Sequence, residues 1–256
     1  MQVPRFTTVV AVDAAHLGEF RLAHQTWKKC RPEIWENPLL IFADTALPPA
    51  GTGESAGWWE RLLARTCDHP DLRVVGWPAC GGATNRHRML SALVYGTAEH
   101  VGTDWFVKID TDTLCLPCEN RWHPNWFDEK ENFEFVTGSW GYSKGIERWR
   151  RLKEWAAGVP ELAMMPEAPG EEFPPKDHVR HQRIISFFFV GRTRFMREVA
   201  ALAPGPLLPI DSQDTVVWYI AHRLGRRYAG VRIKRFGFHH GARGMEKRVK
   251  TILATP

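Results

Sequence analysis

The sequence predicts a single α/β domain in which helices flank a mostly parallel sheet. Apolar, β-prone runs alternate with stretches of helical periodicity, and the first pair is a strand over residues 6–12 and a helix over residues 16–28. Strands that alternate with helices form parallel sheets through right-handed crossovers. The chain has 256 residues, of which 44% are hydrophobic, so it can enclose the core of one such domain.

The later elements are predicted in the same way, from apolar runs that stop at turn-forming or acidic residues. Further strands are predicted over residues 38–43, 72–77, 105–109, 133–140, 184–191 and 228–236, and further helices over residues 58–65, 84–100, 193–202 and 215–224. Residues 237–241 are expected to be a loop that closes the ordered core. The order of elements indicates no repeat and no second domain.

The composition is that of an ordinary globular domain with a basic balance. A net charge of +5 favours anionic partners, and nucleotide diphosphates, phospholipid surfaces and nucleic acid all meet that condition. No apolar run approaches the length of a membrane span, and the first residues lack the long apolar core of a signal peptide. The five cysteines are an odd number and favour free thiols. Together these features predict a cytoplasmic location.

The strand predicted over residues 105–109 ends at two acidic residues, Asp110 and Asp112. Two like charges at the end of a buried strand repel each other and resist desolvation, so they need a neutralising partner. Mg²⁺ and Mn²⁺ prefer oxygen ligands and often share them with phosphates. In open α/β sheets, ligands bind beyond the carboxyl ends of the strands, where this pair lies. The alternative for a bare Asp-x-Asp is two solvated acids in a turn.

Residues 105–113 read Trp-Phe-Val-Lys-Ile-Asp-Thr-Asp-Thr, and this segment resembles the Asp-x-Asp strand of the GT-A fold glycosyltransferases. Its opening, Trp-Phe-Val-Lys, is similar to that of the fringe-type β-1,3-glycosyltransferases. The resemblance implies a GT-A (Rossmann-like) fold and a cofactor, Mn²⁺ or Mg²⁺, that is held by the motif. It also implies that this metal binds the diphosphate of a nucleotide-sugar donor, a UDP- or GDP-sugar.

The resemblance further implies how the single domain, residues 1–256, is divided. Residues 1–113 would form the nucleotide-binding half, and residues 114–256 would form the acceptor-binding half. Residues 141–183 are predicted to hold a basic amphipathic helix, with Ile146, Trp149, Leu152 and Trp155 at its apolar positions, and a Pro/Glu-rich loop. We expect a lid-like insertion there.

Two adjacent histidines, His239 and His240, follow the last predicted strand. In the GT-A superfamily a late histidine often returns to the motif-bound cation, so the resemblance implies a metal ligand here. Adjacent residues point in different directions, and we therefore expect only one of the two to bind. The alternative is an ordinary surface pair of histidines.

Residues for the nucleotide are expected at the carboxyl ends of the predicted strands and on the helix before the motif strand. The resemblance to GT-A enzymes implies this role for Asp44 and for the basic or amide residues of that helix. The basic run after the last strand could hold the leaving diphosphate. The candidates are Asp13, Asp44, Asn85, Arg86, Arg88, Asp110 and Lys234. Solvated surface positions remain the alternative for the basic residues.

Residues for the reaction and the acceptor are predicted in the second half. Asp211 and Asp214 begin a predicted helix, where capping alone would explain one acid. The segment Ser-Gln-Asp at 212–214 resembles the segment that supplies the catalytic base in inverting family members, which makes Asp214 the candidate base. Trp140, Phe188 and Trp218 could stack on sugar rings, and core packing is the alternative role for each.

The leading hypothesis is therefore a metal-dependent, inverting glycosyltransferase that acts on a hydroxyl of a glycan or small molecule. A nucleotidyltransferase of similar topology is a second hypothesis, although residues 12–15 do not form a phosphate-binding loop. A third is a non-catalytic module that binds an anionic surface or nucleic acid. No nucleic-acid motif is present, so we expect no nucleic-acid partner. Peripheral contact with an anionic membrane stays open.

Overall fold

The structure is a computed structural model, and it describes twelve stretches of the chain. They are residues 3–45, 56–77, 91–119, 121–122, 126–127, 133–137, 140–142, 146–165, 182–184, 187–202, 213–230 and 233–255. Of the predicted lid-like insertion, residues 141–183, the structure describes 141–142, 146–165 and 182–183, and its predicted amphipathic helix is present as Ile146–Ala157.

Eleven strands follow one another along the described chain. They are β1 (Phe6–Val12), β2 (Leu39–Asp44), β3 (Leu72–Trp77), β4 (Trp105–Ile109), β5 (Thr113–Cys115), β6 (Phe135–Thr137), β7 (Trp140–Tyr142), β8 (Gln182–Ile184), β9 (Phe188–Arg192), β10 (Tyr228–Gly230) and β11 (Phe238–His240).

The helices lie between these strands. They are α1 (Leu17–Cys30), α2 (Pro32–Glu36), α3 (Ala56–Thr66), a π-helical turn (Ala92–Gly96) that continues into α4 (Thr97–His100), α5 (Ile146–Ala157), α6 (Pro160–Ala163), α7 (Thr193–Leu202), α8 (Gln213–Arg223), a 3₁₀ turn (Ile233–Phe236) and α9 (Met245–Ala254). Among the described residues, no helix is both long and apolar enough to cross a membrane.

Seven strands form the central sheet in the order β10-β6-β9-β4-β1-β2-β3. β1 runs parallel to β2 and β4, β2 runs parallel to β3, and β6 runs parallel to β10. β9 is the exception, because it runs antiparallel to both β4 and β6. The predicted mostly parallel sheet is therefore confirmed, and the carboxyl ends of β1, β2 and β4 share one edge of it.

Each face of the sheet carries its own apolar core. On one face, Phe20 and Trp27 of α1 pack against Val107 and Ile109 of β4. On the other face, Phe42 and Phe106 pack against the π-helical turn and the helices of the second half. Burial on both faces explains why the central strands are near-continuous apolar runs in the sequence.

Three predicted strands are wrong in their extent. The run 133–140 is divided between β6 of the central sheet and β7, which belongs to a separate two-stranded sheet. The run 184–191 is divided between β8, which pairs with β7, and β9, which joins the central sheet. The run 228–236 ends early, because β10 stops at Gly230 and the 3₁₀ turn Ile233–Phe236 lies within the predicted range. A continuous apolar run cannot show where a chain leaves one sheet for another.

The predicted loop at residues 237–241 is also wrong. Its residues Phe238–His240 form β11, which pairs antiparallel with β5, the short strand after the Asp-x-Asp motif. A further helix, α9, follows and packs on α1. Three-residue strands have no measurable periodicity, so their pairing could not be predicted from the pattern.

Candidate metal centre

A tight turn at the end of β4 presents the two motif carboxylates at the carboxyl edge of the sheet. The Asp110 N–H donates to the carbonyl oxygen of Phe187 at 2.9 Å, and the Thr113 N–H donates to the Asp110 carbonyl oxygen at 3.1 Å. These bonds satisfy the backbone as the strand ends, as a buried chain reversal requires. Asp110 and Asp112 are thereby fixed to the most buried part of the sheet.

His240 reaches the motif through the pairing of β11 with β5. In this register His240 lies opposite Thr113, and the Gly241 N–H donates to the Asp112 carbonyl oxygen at 3.2 Å. The ring of Phe187 stacks on the His240 imidazole, with 4.5 Å between centroids. These contacts set the imidazole against the motif.

Helix α1 anchors β5 through two hydrogen bonds. The Trp27 indole N–H donates to the Thr113 carbonyl oxygen at 2.6 Å, and the Cys115 N–H donates to Thr26 Oγ1 at 2.9 Å. Both side chains are buried, where a hydrogen bond is costly to lose. The strand that receives β11 is therefore anchored to the first helix of the domain.

Asp110, Asp112 and His240 form a group that could hold a metal ion. Each offers one ligand atom, and these atoms lie within 4.8 Å of one another. His240 Nε2 lies 3.2 Å from Asp112 Oδ1. Two carboxylate oxygens and one imidazole nitrogen suit a divalent cation that keeps further positions open for a second ligand. The donor set therefore fits the predicted Mn²⁺ or Mg²⁺.

The paired groups shift each other's ionisation. Burial raises the pKa of Asp112, but the hydrogen bond and the charge of His240 outweigh it and hold that pKa below its usual value. The hydrogen bond to Asp112 raises the pKa of His240 against the opposing effect of burial. An imidazole must lose its proton before it can bind a metal. The pairing with Asp112 therefore favours a proton on His240, which a bound cation would have to displace.

His239 points away from this group. Successive residues of a strand alternate in direction, and His239 Nε2 accepts a hydrogen bond from Arg248 of α9. Of the two predicted histidines, the structure places His240 beside the carboxylates and His239 against the last helix.

Lys108 of β4 is buried behind the motif. Its side chain is 1% exposed, and its ammonium contacts Asp110 Oδ1. The sequence shows this lysine within the motif strand, but strand periodicity alone gave it no role. A buried lysine requires such a partner, since burial of an unpaired ammonium is very costly.

The turn after β1 brings three more ionisable residues to the site, of which two were not predicted. His16 Nδ1 lies 2.6 Å from Asp13 Oδ1, and Thr111 Oγ1 donates to Glu19 Oε2 at 3.5 Å. Burial lowers the pKa of His16, but the hydrogen bond to Asp13 and the charges of Asp13, Glu19 and Asp112 outweigh it, so the pKa is raised. Burial raises the pKa of Glu19, and repulsion from Asp112 raises it further. Together they outweigh the charge of His16, which lowers it.

His16 and Glu19 were missed because each has an ordinary explanation in the sequence. An acid in the first turn of a helix complements the helix dipole, and the apolar positions of α1 account for its periodicity. The one available signal was their position, directly after a strand whose carboxyl end shares an edge with the motif strand.

The predicted nucleotide-binding acids lie at the expected edge of the sheet. Asp13 follows β1, Asp44 is the last residue of β2, and Asp110 follows β4. Asp44 is fully buried, and its carbonyl oxygen accepts a hydrogen bond from the Trp59 indole at 3.0 Å. Asp13 is 8% exposed and is bonded to His16.

Several predicted site residues lie outside the described part of the chain. They are Asn85, Arg86, Arg88 and Asp211, together with the side chains of Trp140, Asp214 and Lys234. Their predicted roles remain predictions. For Asp214, the described backbone lies in the first turn of α8.

Two of the predicted acceptor-binding aromatics are core residues in the structure. Phe188 is fully buried, and its ring packs on Phe238 with 4.1 Å between centroids. Trp218 is 5% exposed and stacks on His222. Neither presents an open ring face for a sugar, because the apolar run of β9 and the packed face of α8 require both rings inside.

No protein-family model matches the chain, and no curated protein matches it by sequence. Solved structures do match its fold. Core-mannan synthase A from Aspergillus fumigatus, in its Mn/GDP form, is 9% identical, covers 93% of this chain and 75% of its own, and gives a TM-score of 0.58. The mannosyltransferase Ktr4p from S. cerevisiae is 10% identical, covers 92% of this chain and 70% of its own, and gives a TM-score of 0.53.

These similarities concern the fold, because identities of 9% and 10% do not carry function across. The structural match extends over most of this chain in both cases. The predicted GT-A fold is thereby confirmed.

Proposed function

We propose that the chain is a metal-dependent glycosyltransferase. It would move a sugar from a nucleoside-diphosphate donor, a UDP- or GDP-sugar, to a hydroxyl group of a glycan or small molecule. The observation that supports this proposal is the convergence of Asp110, Asp112 and His240 within 4.8 Å at the carboxyl edge of the sheet. The core-mannan synthase with the same fold was solved in its Mn/GDP form. This supports a nucleoside-diphosphate donor at the carboxyl edge of the sheet in this chain.

The donor set favours Mn²⁺ over Mg²⁺. Mg²⁺ prefers oxygen ligands and keeps several waters, whereas an imidazole nitrogen suits a softer first-row ion better. The side chains of Asp110, Asp112 and His240, which the structure brings together, would hold the ion. When bound, the ion would neutralise the negative charge that develops on the leaving diphosphate.

Residues at the carboxyl edge of the sheet would hold the nucleotide of the donor. Asp13 and Asp44 end neighbouring parallel strands, within the proposed nucleotide-binding half, residues 1–113. The His16–Asp13 pair lies near Asp112, and a proton on His16 would offset part of the negative charge that an anionic donor meets there. The acceptor would approach from residues 114–256.

We propose Asp214 as the base that takes the proton of the acceptor hydroxyl. Its place in the first turn of α8 and its segment Ser-Gln-Asp support this role. The Asp214→Asn variant should keep its donor and metal affinity but transfer sugar roughly 10²–10⁴-fold more slowly, the usual share of general acid–base catalysis. Asp211→Asn is the matched control, and its rate should change little if that acid only caps the helix. Near-parental transfer by the Asp214 variant, or a product that retains the anomeric configuration of the donor, would contradict the role.

The proposed function is tested by thermal unfolding with UDP and with GDP, each with and without Mn²⁺. We expect one nucleotide to raise the Tm only when Mn²⁺ is present, because binding to the folded state stabilises it. Stabilisation by any polyanion that fades with salt would instead indicate a non-catalytic binding module. Screening nucleotide-sugars for Mn²⁺-dependent hydrolysis would then identify the donor. Release of pyrophosphate from a nucleoside triphosphate in the presence of a sugar phosphate would instead indicate a nucleotidyltransferase.

A further inference from the structure

Lys108 lies deep in the sheet at the point where the motif begins. Its neighbours across the sheet are Val9 of β1 and Phe189 of β9, which are 0% and 4% exposed. Lysine is almost never this buried unless its charge is paired. The ammonium is therefore fixed near one spot, because moving it into the surrounding apolar cluster would strip it of its partner.

The partner of this ammonium is a carboxylate of the candidate metal centre. Lys108 Nζ contacts Asp110 Oδ1, while the Asp110 side chain is 33% exposed. Asp112 and His240 each offer a ligand atom within 4.8 Å of the one that Asp110 offers. A fixed positive charge thus contacts one member of the group that would hold a divalent cation.

We infer that Lys108 is a positioning residue that holds Asp110 and competes with the divalent cation for that carboxylate. This inference rests on the proposed function, and it deepens the account of the same site. Two carboxylates and one ammonium leave a formal charge of only −1 for a doubly charged ion, with His240 neutral. The free site would therefore bind the cation weakly.

A diphosphate changes this balance. It adds oxygen ligands and negative charge on the open side of the cation, which offsets the repulsion from Lys108. By linkage, the factor by which the nucleotide raises the affinity for the cation equals the factor by which the cation raises the affinity for the nucleotide. Lys108 would thus couple the two, so that the chain holds its metal tightly only together with the donor.

The test is a titration of Mn²⁺ followed by the loss of the free-ion EPR signal, with and without UDP or GDP. In Lys108→Met, a side chain of similar length carries no charge. We expect this variant to bind Mn²⁺ in the absence of nucleotide ~10-fold or more tightly than the parent, because a like charge next to the ion is gone. The gain in Mn²⁺ affinity on adding nucleotide should shrink by a similar factor. Lys250→Met, which removes an exposed charge of α9, is the control and should behave like the parent.

A second variant tests the inference even if Lys108→Met fails to fold. In Lys108→Gln the side-chain amide can still donate to Asp110 but carries no charge, so this variant should also bind Mn²⁺ without nucleotide more tightly than the parent. A folded Lys108→Met or Lys108→Gln that binds Mn²⁺ no more tightly than the parent overturns the inference. A parent that binds neither Mn²⁺ nor nucleotide in any combination removes the proposed function itself.

Discussion

The candidate site joins two regions of the molecule that are held in different ways. The motif turn, residues 110–113, ends a central strand of the seven-stranded sheet and is fixed by β1 and β9 on either side. The β5–β11 ladder, in which Thr113–Cys115 pairs with Phe238–His240, has three residues in each strand and lies outside that sheet. The carboxylates are thus positioned by the core, whereas the histidine depends on a short pairing between distant parts of the chain.

A buried arginine compensates for the shortness of the ladder. Arg31 is 0% exposed, and its guanidinium donates to the carbonyl oxygens of Leu116, which follows β5, and Phe236, which precedes β11, so it binds both strands at the same end of the ladder. It also lies 4.9 Å from the ring centre of Phe238. The planar group therefore joins both strands, a task for which its fixed array of donors is suited.

The largest expected effect comes from the motif turn. Asp112→Asn should abolish Mn²⁺-dependent nucleotide binding, because a neutral amide is a poor ligand and the contact with His240 loses its charge. The loss should exceed the ~10–100-fold that removal of an outer-shell partner costs. Calorimetric titration of nucleotide with Mn²⁺ measures it, and Asp71→Asn, an exposed acid at the opposite edge of the sheet, is the control. Parental titration by the Asp112 variant would refute the metal site.

The next effect compares the ladder with the turn. His240→Ala should weaken Mn²⁺ binding by at least the ~10-fold that loss of an outer-shell partner costs, since one ligand is lost while both carboxylates stay in place. His239→Ala is the matched control and should leave Mn²⁺ affinity near that of the parent, because His239 contacts Arg248 instead. Equal losses in the two variants would mean that the alternation along β11 does not decide which histidine binds.

The same comparison explains how much could be predicted from the sequence. The bounds of β1 and β3 agree with their predicted ranges at both ends, because each is a compact apolar run next to a clear break. Asp110 and Asp112 follow such a run, so their place at the sheet edge could be predicted. Their role as ligands stays a prediction, as does that of His240.

The ladder could not be predicted in the same way. β5 and β11 are too short for a pattern, and their pairing depends on anchors that belong to other elements, such as Trp27 of α1 and the buried Arg31. In the sequence these read as a core tryptophan and a charged helix end. Only the tertiary arrangement turns them into supports for the site.

A glycine next to the ladder offers a way to disturb this region alone. Gly237 has a φ of +73°, and a Cβ there would lie 2.7 Å from the Leu116 carbonyl oxygen and from Arg31 Nη2. Gly237→Ala should therefore lower the free energy of unfolding by about 2–4 kcal/mol, from left-handed strain together with a steric clash. It should also weaken Mn²⁺ binding, because β11 must shift.

The control for this change is Gly225→Ala. Gly225 has a φ of +60° but open space around its Cβ position, so only the left-handed strain of about 1–2 kcal/mol applies. Thermal unfolding measures both variants. If Gly237→Ala is no less stable than Gly225→Ala and binds Mn²⁺ like the parent, the ladder is more tolerant than its contacts indicate.

The smallest expected effect concerns His16, which borders the motif turn rather than the ladder. Its pKa is raised, since the bond to Asp13 and the nearby carboxylates outweigh burial. A raised folded-state pKa stabilises the fold fully below the usual value near 6.5, and this contribution is lost as the pH rises through the raised value. His16→Ala should therefore lower the Tm more at pH 6 than at pH 8.5, two conditions that lie on either side of the pH range in which the contribution is lost.

The size of this effect is limited by solvent, because the His16 side chain is 53% exposed. An exposed ion pair contributes at most about 1 kcal/mol, and salt should reduce it further. His16→Gln is the matched variant, since an amide can still donate to Asp13 but carries no charge. The Tm of His16→Gln should differ from that of the parent with the same pH dependence as the Tm of His16→Ala does. At pH 8.5, however, its difference from the parent should be smaller. If the difference between parent and His16→Ala is constant across this range, the turn after β1 contributes no charge to the motif turn, and the electrostatic link between α1 and Asp112 is absent.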